Sequence, residues 1–354
     1  MPSGSSPGSE RSQAIDVSDD GRVIVGFDPP WIAVRWDPEQ TVLTNAYEFS
    51  VVRAVSGDGQ TAVGEQLYFV PRPWTAWNLA TKWLPNGTPV TLSPGDSYAL
   101  AVSRDGSLVA GTLYDYTAAI WTAQGVQLLP RPPGETCGAS AMTRDGAFVG
   151  GVRFNPDSRP RQIYPVGRPV MWGYGTHMHL MPMPRARPAG SIRAISDHCR
   201  VAVGVSSPQA TGSIYDIATV WTSRGEAYEL SDLLTQLGLG PLIDGWNLQS
   251  SRDVSADGRI IVGWGIDPTG ANRGWRVELP SSFVCDANCD GSTALPALNI
   301  YDFVCFTDRF SNALDLPLRE RVWDYANCDA STTPPVIDAA DFTCFMKRFA
   351  DGCG

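Results

Sequence analysis

The chain has 354 residues, with 27 Lys and Arg against 37 Asp and Glu, for a formal net charge of −10. That balance argues against a nucleic-acid backbone as partner, and no run approaches the roughly 18 consecutive apolar residues of a membrane-spanning helix. Apolar residues at 43% support a packed core, and 35 Gly with 28 Pro point to a turn-rich β protein.

Residues 1–13, MPSGSSPGSERSQ, carry no apolar signal core, so an upstream segment is expected to precede them. From residue 14 one phrase returns six times: AIDVSDDGRVIVG (14–26), RAVSGDGQTAVG (53–64), LAVSRDGSLVAG (100–111), SAMTRDGAFVGG (140–151), RAISDHCRVAVG (193–204) and RDVSADGRIIVG (252–263). Each is two alternating apolar runs around a small polar turn, usually x-Asp-Gly, which predicts a β-hairpin. Cys199 replaces the turn glycine in the fifth copy, so another turn type is expected there. A third short strand ending in Trp follows each hairpin, at Trp36, Trp77, Trp121, Trp172, Trp221 and Trp275. A fourth follows in places, as in GVQLLP (125–130) and EAYEL (226–230), while the last copy stops at VELP (277–280). Four antiparallel strands recurring at about 40 to 60 residues predict propeller blades.

These phrases resemble the HAF-type repeats of bacterial extracellular proteins over residues 14–280. The expected fold is mainly β: a propeller of six four-stranded antiparallel blades, seven with one upstream, over residues 1–280. A small helical module occupies 281–354.

The repeated Trp residues are expected to pack between blades rather than stack sugars. Trp31, Trp74, Trp83, Trp246 and Trp264 lie outside that position and are the better ligand candidates. The turn carboxylates Asp20, Asp58, Asp105, Asp145 and Asp257 are read as structural and as lying far apart along one rim. A second set of acids, Asp28, Glu65, Asp115, Asp157, Asp216 and Asp267, is placed in the connections between strands two and three. A ring of carboxylates on a ligand-binding face would bind a cation or supply paired acids for glycoside chemistry. Against this stand the irregular register and the frequency of acids in exposed loops. The Arg-rich stretch 152–168 is either a grip for an acidic sugar or a solvated insertion. His177 and His179 alternate on one strand face without a third ligand nearby. Cys137 and Cys199, in neighbouring copies, are either a disulfide or two thiols.

Residues 286–310 recur 39 positions later, with Asn288-Cys289-Asp290 matching Asn327-Cys328-Asp329 and Asp302-Phe303 matching Asp341-Phe342. Asp286, Asn288, Asp290 and Gly291 open like a calcium loop, but position 12 is Ala297 and Asp302 arrives five residues late. Both copies share that delay, so it belongs to the design. Short amphipathic helices follow, with Phe303, Phe306 and Phe310 on one face of the first and Phe342, Phe345 and Phe349 on one face of the second.

Two such loop–helix repeats ending in Gly352-Cys353 resemble a dockerin of the cysteine-containing GC type over residues 285–353. The resemblance implies two Ca²⁺ ions and docking onto a cohesin-like partner. Carried over, the first site comprises Asp286, Asn288, Asp290, Asn299 and Asp302. The second comprises Asn327, Asp329, Asp338 and Asp341, and is expected to be weaker because Tyr325 and Ala330 depart from the pattern. Asp324 stands beside the first departure. The repeat suggests disulfides Cys289–Cys305 and Cys328–Cys344, with Cys285 and Cys353 clasping the ends. Six cysteines in the last seventy residues imply an oxidising compartment.

The sequence thus points to an extracellular or cell-surface protein without catalysis, recognising a glycan or protein. The alternative is a dockerin-borne glycoside hydrolase or polysaccharide lyase.

Overall fold

The computed structural model describes residues 12–28, 31–37, 39–43, 49–71, 74–154, 167–173, 177–208, 216–285, 287–289, 298–316, 326–328 and 335–352. The chain divides into two compact units, residues 1–128 with 138–146, and residues 129–137 with 147–354. The described residues are mainly β.

Three up-and-down antiparallel sheets build the first unit. They are β1 (Gln13–Val17), β2 (Ile24–Asp28), β3 (Ile32–Asp37) and β4 (Glu39–Val42); β5 (Phe49–Val55), β6 (Ala62–Pro71), β7 (Trp74–Trp83) and β8 (Pro89–Thr91); and β9 (Ser97–Val102), β10 (Val109–Leu113), β11 (Ala118–Thr122) and β12 (Gly125–Leu128). Most of β13 (Cys137–Met142) and the fourth turn also belong to this unit. In the second unit β14 (Phe148–Phe154), β15 (Gly167–Gly173) and β16 (His177–Leu180) meet the next repeat through a bridge between Gly167 and Gly190. That repeat is β17 (Ala189–Ile195), β18 (Val201–Ser207), β19 (Ile217–Thr222) and β20 (Ala227–Glu229). The sixth copy, β21 (Asn247–Val254), β22 (Ile260–Ile266) and β23 (Asn272–Glu278), ends after its third strand as expected.

The repeated phrase explains its own hairpin. Gly64, the last residue of the second copy, lies where β5 shifts register between Val52 and Ala54. A Cβ there would sit 2.0 Å from the Val51 carbonyl oxygen, so only glycine admits the bulge. In the turn, Ser56 Oγ donates to Asp58 Oδ1 at 2.5 Å and accepts from the Thr61 amide at 2.9 Å. Asp58 Oδ1 also accepts from Gln60 N, and Gly59 takes φ +70°. The same hydroxyl–carboxylate–glycine lock recurs at Ser18/Asp20, Ser103/Asp105 and Ser255/Asp257. Ser103 and the Ser107 amide hold the Asp105 carboxyl at about 2, below its ordinary 3.8. A depressed folded pKa contributes stability that is present above 3.8 and lost as pH falls toward 2. Asp105→Asn keeps the acceptor oxygen and should flatten the loss of melting temperature over that window.

The fifth copy differs as expected, its turn being a 3-10 helix over Asp197–Cys199, yet it keeps two features of the others. Cys199 N donates to Ser196 O, as each turn glycine does, and Cys199 itself adopts φ +57°. A non-glycine residue there costs about 1–2 kcal/mol, and glycine returns roughly 0.5–1 kcal/mol of that as unfolded-state freedom. Cys199→Gly is therefore expected to stabilise the protein by about 0.5–1 kcal/mol, read as a higher urea midpoint at unchanged slope. Cys137 and Cys199 form no disulfide; their sulfurs sit against Met178 at 3.7 Å and Met171 at 3.0 Å.

Cross-strand register also corrects the Trp series. Trp36, Trp121, Trp172 and Trp221 pair with the residue two before the phrase's terminal Gly or its equivalent: Ile24, Val109, Val149 and Ala202. In the second copy that residue is Ala62, and its partner is Trp83, not Trp77. Trp83 is fully buried with Val23, Val25, Ala33 and Leu43 of the preceding sheet, whereas Trp77 is 41% exposed. Trp121 likewise shares a core cluster with Val63 and Ala80, and Trp275 one with Val203 and Val220. Trp172 and Trp221 donate their indole N–H to Pro130 O and Pro182 O. Trp83, Trp121 and Trp275 thus share a core cluster with residues of the preceding sheet, whereas Trp36 is half-buried and Trp77 exposed.

A helix that the sequence reading missed, α1 (Leu230–Gln236), follows β20 and buries Leu230, Leu233 and Leu234. Near the C-terminus lie α2 (Ile300–Ala313) and α3 (Ala339–Asp351). Among the described residues no helix is long and apolar enough to cross a membrane.

Candidate functional site

The C-terminal repeat builds two nearly equivalent corners. Asn299 caps α2 by accepting from Tyr301 N, and its own N–H donates to Asp302 Oδ2 at 2.8 Å. Asp338 and Asp341 make the same reciprocal pair on α3, with Asp338 Oδ1 taking the Ala340 amide. This is the capping box, which positions each terminal carboxylate by backbone geometry. Asp302 and Asp341 are completely buried, as is Asn288, and Asn327 is 8% exposed. Asn288 Nδ2 donates to Ser282 O, and the Oδ1 atoms of Asn288 and Asn327 are both buried. Carboxylate and carboxamide oxygens buried at matching positions form a hard donor set of the kind Ca²⁺ takes.

Asp286, Asp290 and Asp329 lie outside the described residues. Among the described residues no group of three His, Cys, Asp or Glu converges.

Cys289–Cys305 and Cys328–Cys344 are disulfides, each with Cα atoms 5.8 Å apart. Cys285 is also disulfide-bonded, while Cys353 lies outside the described residues. Phe306 and Phe345 stack at 4.0 Å with planes 6° apart, both buried against the two bridges. The phenylalanine faces of the two helices therefore meet each other. Ile300, Tyr301 and Val304 of α2 remain exposed.

The six acids assigned to one face do not share one setting. Glu65 lies inside β6 rather than in a connection, 4% exposed, with Arg53 donating to it at 2.5 to 3.2 Å. Burial pushes its carboxyl up, against the pull of Arg53. Asp115 and Asp267 accept amides of their own turns, from Thr117 and from Thr269 and Ala271. Asp28 ends β2, and Asp216 immediately precedes β19. Asp157 and most of the Arg-rich stretch lie outside the described residues. Of the other tryptophan candidates, Trp31 is 52% and Trp264 37% exposed. Trp246 is half-buried against the last core, and Trp74 opens β7.

The turns are not far apart, which overturns a second expectation. Asp19 N donates to Gly57 O, Asp58 N to Arg104 O and Arg104 N to Arg144 O, all within the first unit. In the second unit Asp197 N donates to Ala256 O. Asp19 Oδ2 meets Arg104 Nε at 2.9 Å, and its Oδ1 meets Arg144 NH1 at 2.6 Å. These three residues lie beside the recurring turn carboxylates, which are the more conspicuous feature of the phrase. They stand at a position of the phrase that varies between copies, just after its Ser or Thr: Asp19, Gly57, Arg104, Arg144, Asp197, Ala256.

No family model matches the chain, and no curated protein does. Among solved structures it is similar to a putative TolB from Agrobacterium tumefaciens, at 13% identity and TM-score 0.47, covering 77% of this chain and 91% of that one. It is similar to TolB from Acinetobacter baumannii at 10% identity and TM-score 0.42, covering 61% and 53%. An oligogalacturonate lyase in complex with manganese gives 14% identity and TM-score 0.49, covering 75% and 76%. Likeness at this level assigns no activity to the chain.

Proposed function

We propose that residues 1–280 are a HAF-type β-propeller that recognises a glycan or protein outside the cell. In this reading residues 281–354 are a calcium-dependent, dockerin-like anchor. The observation that carries the anchor is the duplicated corner, where buried Asn288 and Asp302 recur as Asn327 and Asp341 beside matching disulfides. Ca²⁺ is a hard cation that carboxylate and carboxamide oxygens of this kind would hold. The residues that would hold it are those carried over from the resemblance, with Asn299 and Asp338 also fixing the helix starts. Because Phe306 and Phe345 are buried against each other, a cohesin-like partner would meet exposed residues such as Tyr301 and Val304 of α2. The disulfides favour an extracellular or cell-surface location.

The second reading, a polysaccharide-degrading enzyme, is favoured by Glu65. A carboxyl raised by burial beside Arg53 is a pattern shared with general acids. A glycan array run beside a reducing-sugar assay separates the two. Binding without product supports recognition, and product formation lost in Glu65→Gln supports catalysis.

A further inference from the structure

Helix α1 follows β20 directly, and a groove opens beside it within the second unit. Its volume of about 390 Å³ lies in the range of small-ligand sites, and its walls include Arg185, Tyr228, Glu229, Asp232 and Gln236. Two ion pairs brace it. Arg187 Nε and NH2 both reach Glu229 Oε1, at 2.8 and 2.6 Å, and Arg185 NH2 meets Asp232 Oδ2 at 2.6 Å. Each acid is therefore held by one oxygen. Among the described residues no hydrogen bond ends on Glu229 Oε2 or Asp232 Oδ1. Glu229 is only 5% exposed, so what little of it is open faces the groove it lines.

Arg185 adopts φ +45° and ψ +39°, a left-handed conformation that side chains disfavour. Strain of that kind collects at ligand sites, and here the strained residue is the one that reaches Asp232. The donors and acceptors then select the ligand. Carboxylates only accept and guanidinium groups only donate. A cation would suit the two acids but meet Arg185 and Arg187, and an anion would suit the arginines but meet the acids. Arg224 and Glu226, the charged neighbours of Tyr228 along the chain, pair with each other at 3.0 Å. Sugar hydroxyls donate and accept at once, so they satisfy the second carboxylate oxygens, the other N–H groups of Arg185 and the Gln236 amide together. Tyr228, with its ring 6.2 Å from that of Phe283, brings an aromatic surface for the C–H faces of a sugar.

We infer that this groove is a subsite for an uncharged saccharide unit, with Glu229 and Asp232 accepting from its hydroxyls and Arg185 and Gln236 donating to them. The inference rests on the glycan reading of residues 1–280 and names its ligand class. The test titrates the full chain, by calorimetry, with cellotetraose, mannotetraose, xylotetraose and laminaritetraose, and with tetragalacturonate as the charged control. At least one neutral tetrasaccharide should bind, and raised salt should leave that affinity within about twofold. Asp232→Ala and Gln236→Ala should each weaken it tenfold or more. Both side chains lie at the solvent edge of α1, so the thermal midpoint should move by no more than a few degrees. Neutral binding that either variant leaves intact would sink the subsite while leaving glycan recognition standing. Tetragalacturonate binding as tightly as the best neutral probe, or more tightly, would overturn the uncharged assignment. No binding by any of the five would overturn the subsite; an empty glycan array as well would overturn the glycan reading.

Discussion

Trp83→Ala is expected to lower the stability of the first unit by about 3–5 kcal/mol, and Trp77→Ala by no more than about 0.5 kcal/mol. The two residues stand six apart on one strand, and both are indoles, so composition does not separate them. Position does. Trp83 is completely buried among Val23, Val25, Ala33 and Leu43, so its removal opens a cavity between two sheets. Trp77 keeps 41% of its surface in water and pairs across from Tyr68, near the far end of the hairpin. Thermal or urea unfolding of both variants reads the difference directly. Equal losses would mean that the register between Ala62 and Trp83 is wrong.

Phe306→Ala is expected to cost about 3–5 kcal/mol within the C-terminal helix pair. Its ring stacks on Phe345 at 4.0 Å, and the two disulfides flank the stack. A segment this small has little apolar core to spare. With both bridges intact the chain cannot fully separate, so the loss should appear as faster amide exchange throughout α2 and α3. The β-sheet amides should be unchanged. Exchange rising in the sheets to the same degree would show that the helices are not an independent cooperative element.

What the sequence made legible was periodic and local. The six hairpins, the three-stranded last copy, the two loop-to-helix disulfides and the phenylalanine faces all follow from repetition or from alternation of apolar residues. The errors came where distant strands decide. Three Trp residues occur in WTAWNLATKW, and only pairing with Ala62 selects Trp83. Glu65 looked like a loop acid because β6 and β7 run longer than their counterparts, to ten residues each. At the fifth turn Cys199 replaces glycine yet keeps the positive φ, because the Ser196 hydroxyl and backbone hold it.

Helix α1 had a visible signal, Leu230, Leu233, Leu234 and Leu237 at helical spacing before Gly238. It was eclipsed when EAYEL was read as a strand through Leu230. The meeting of Asp19 with Arg104 and Arg144 is a property of how repeats stack, which no single repeat encodes.

The central claim is that the C-terminal repeat is a calcium-loaded anchor. Calorimetric titration of Ca²⁺ into the full, chelator-treated chain with its disulfides intact tests it most directly. The account predicts two uptake events, the tighter one from the loop ending at Asp302. Asp302→Asn preserves a capping oxygen but removes the charge, and should abolish that event while α2 stays helical. No heat of binding in the wild-type chain, with both bridges confirmed by peptide mapping, would contradict the account.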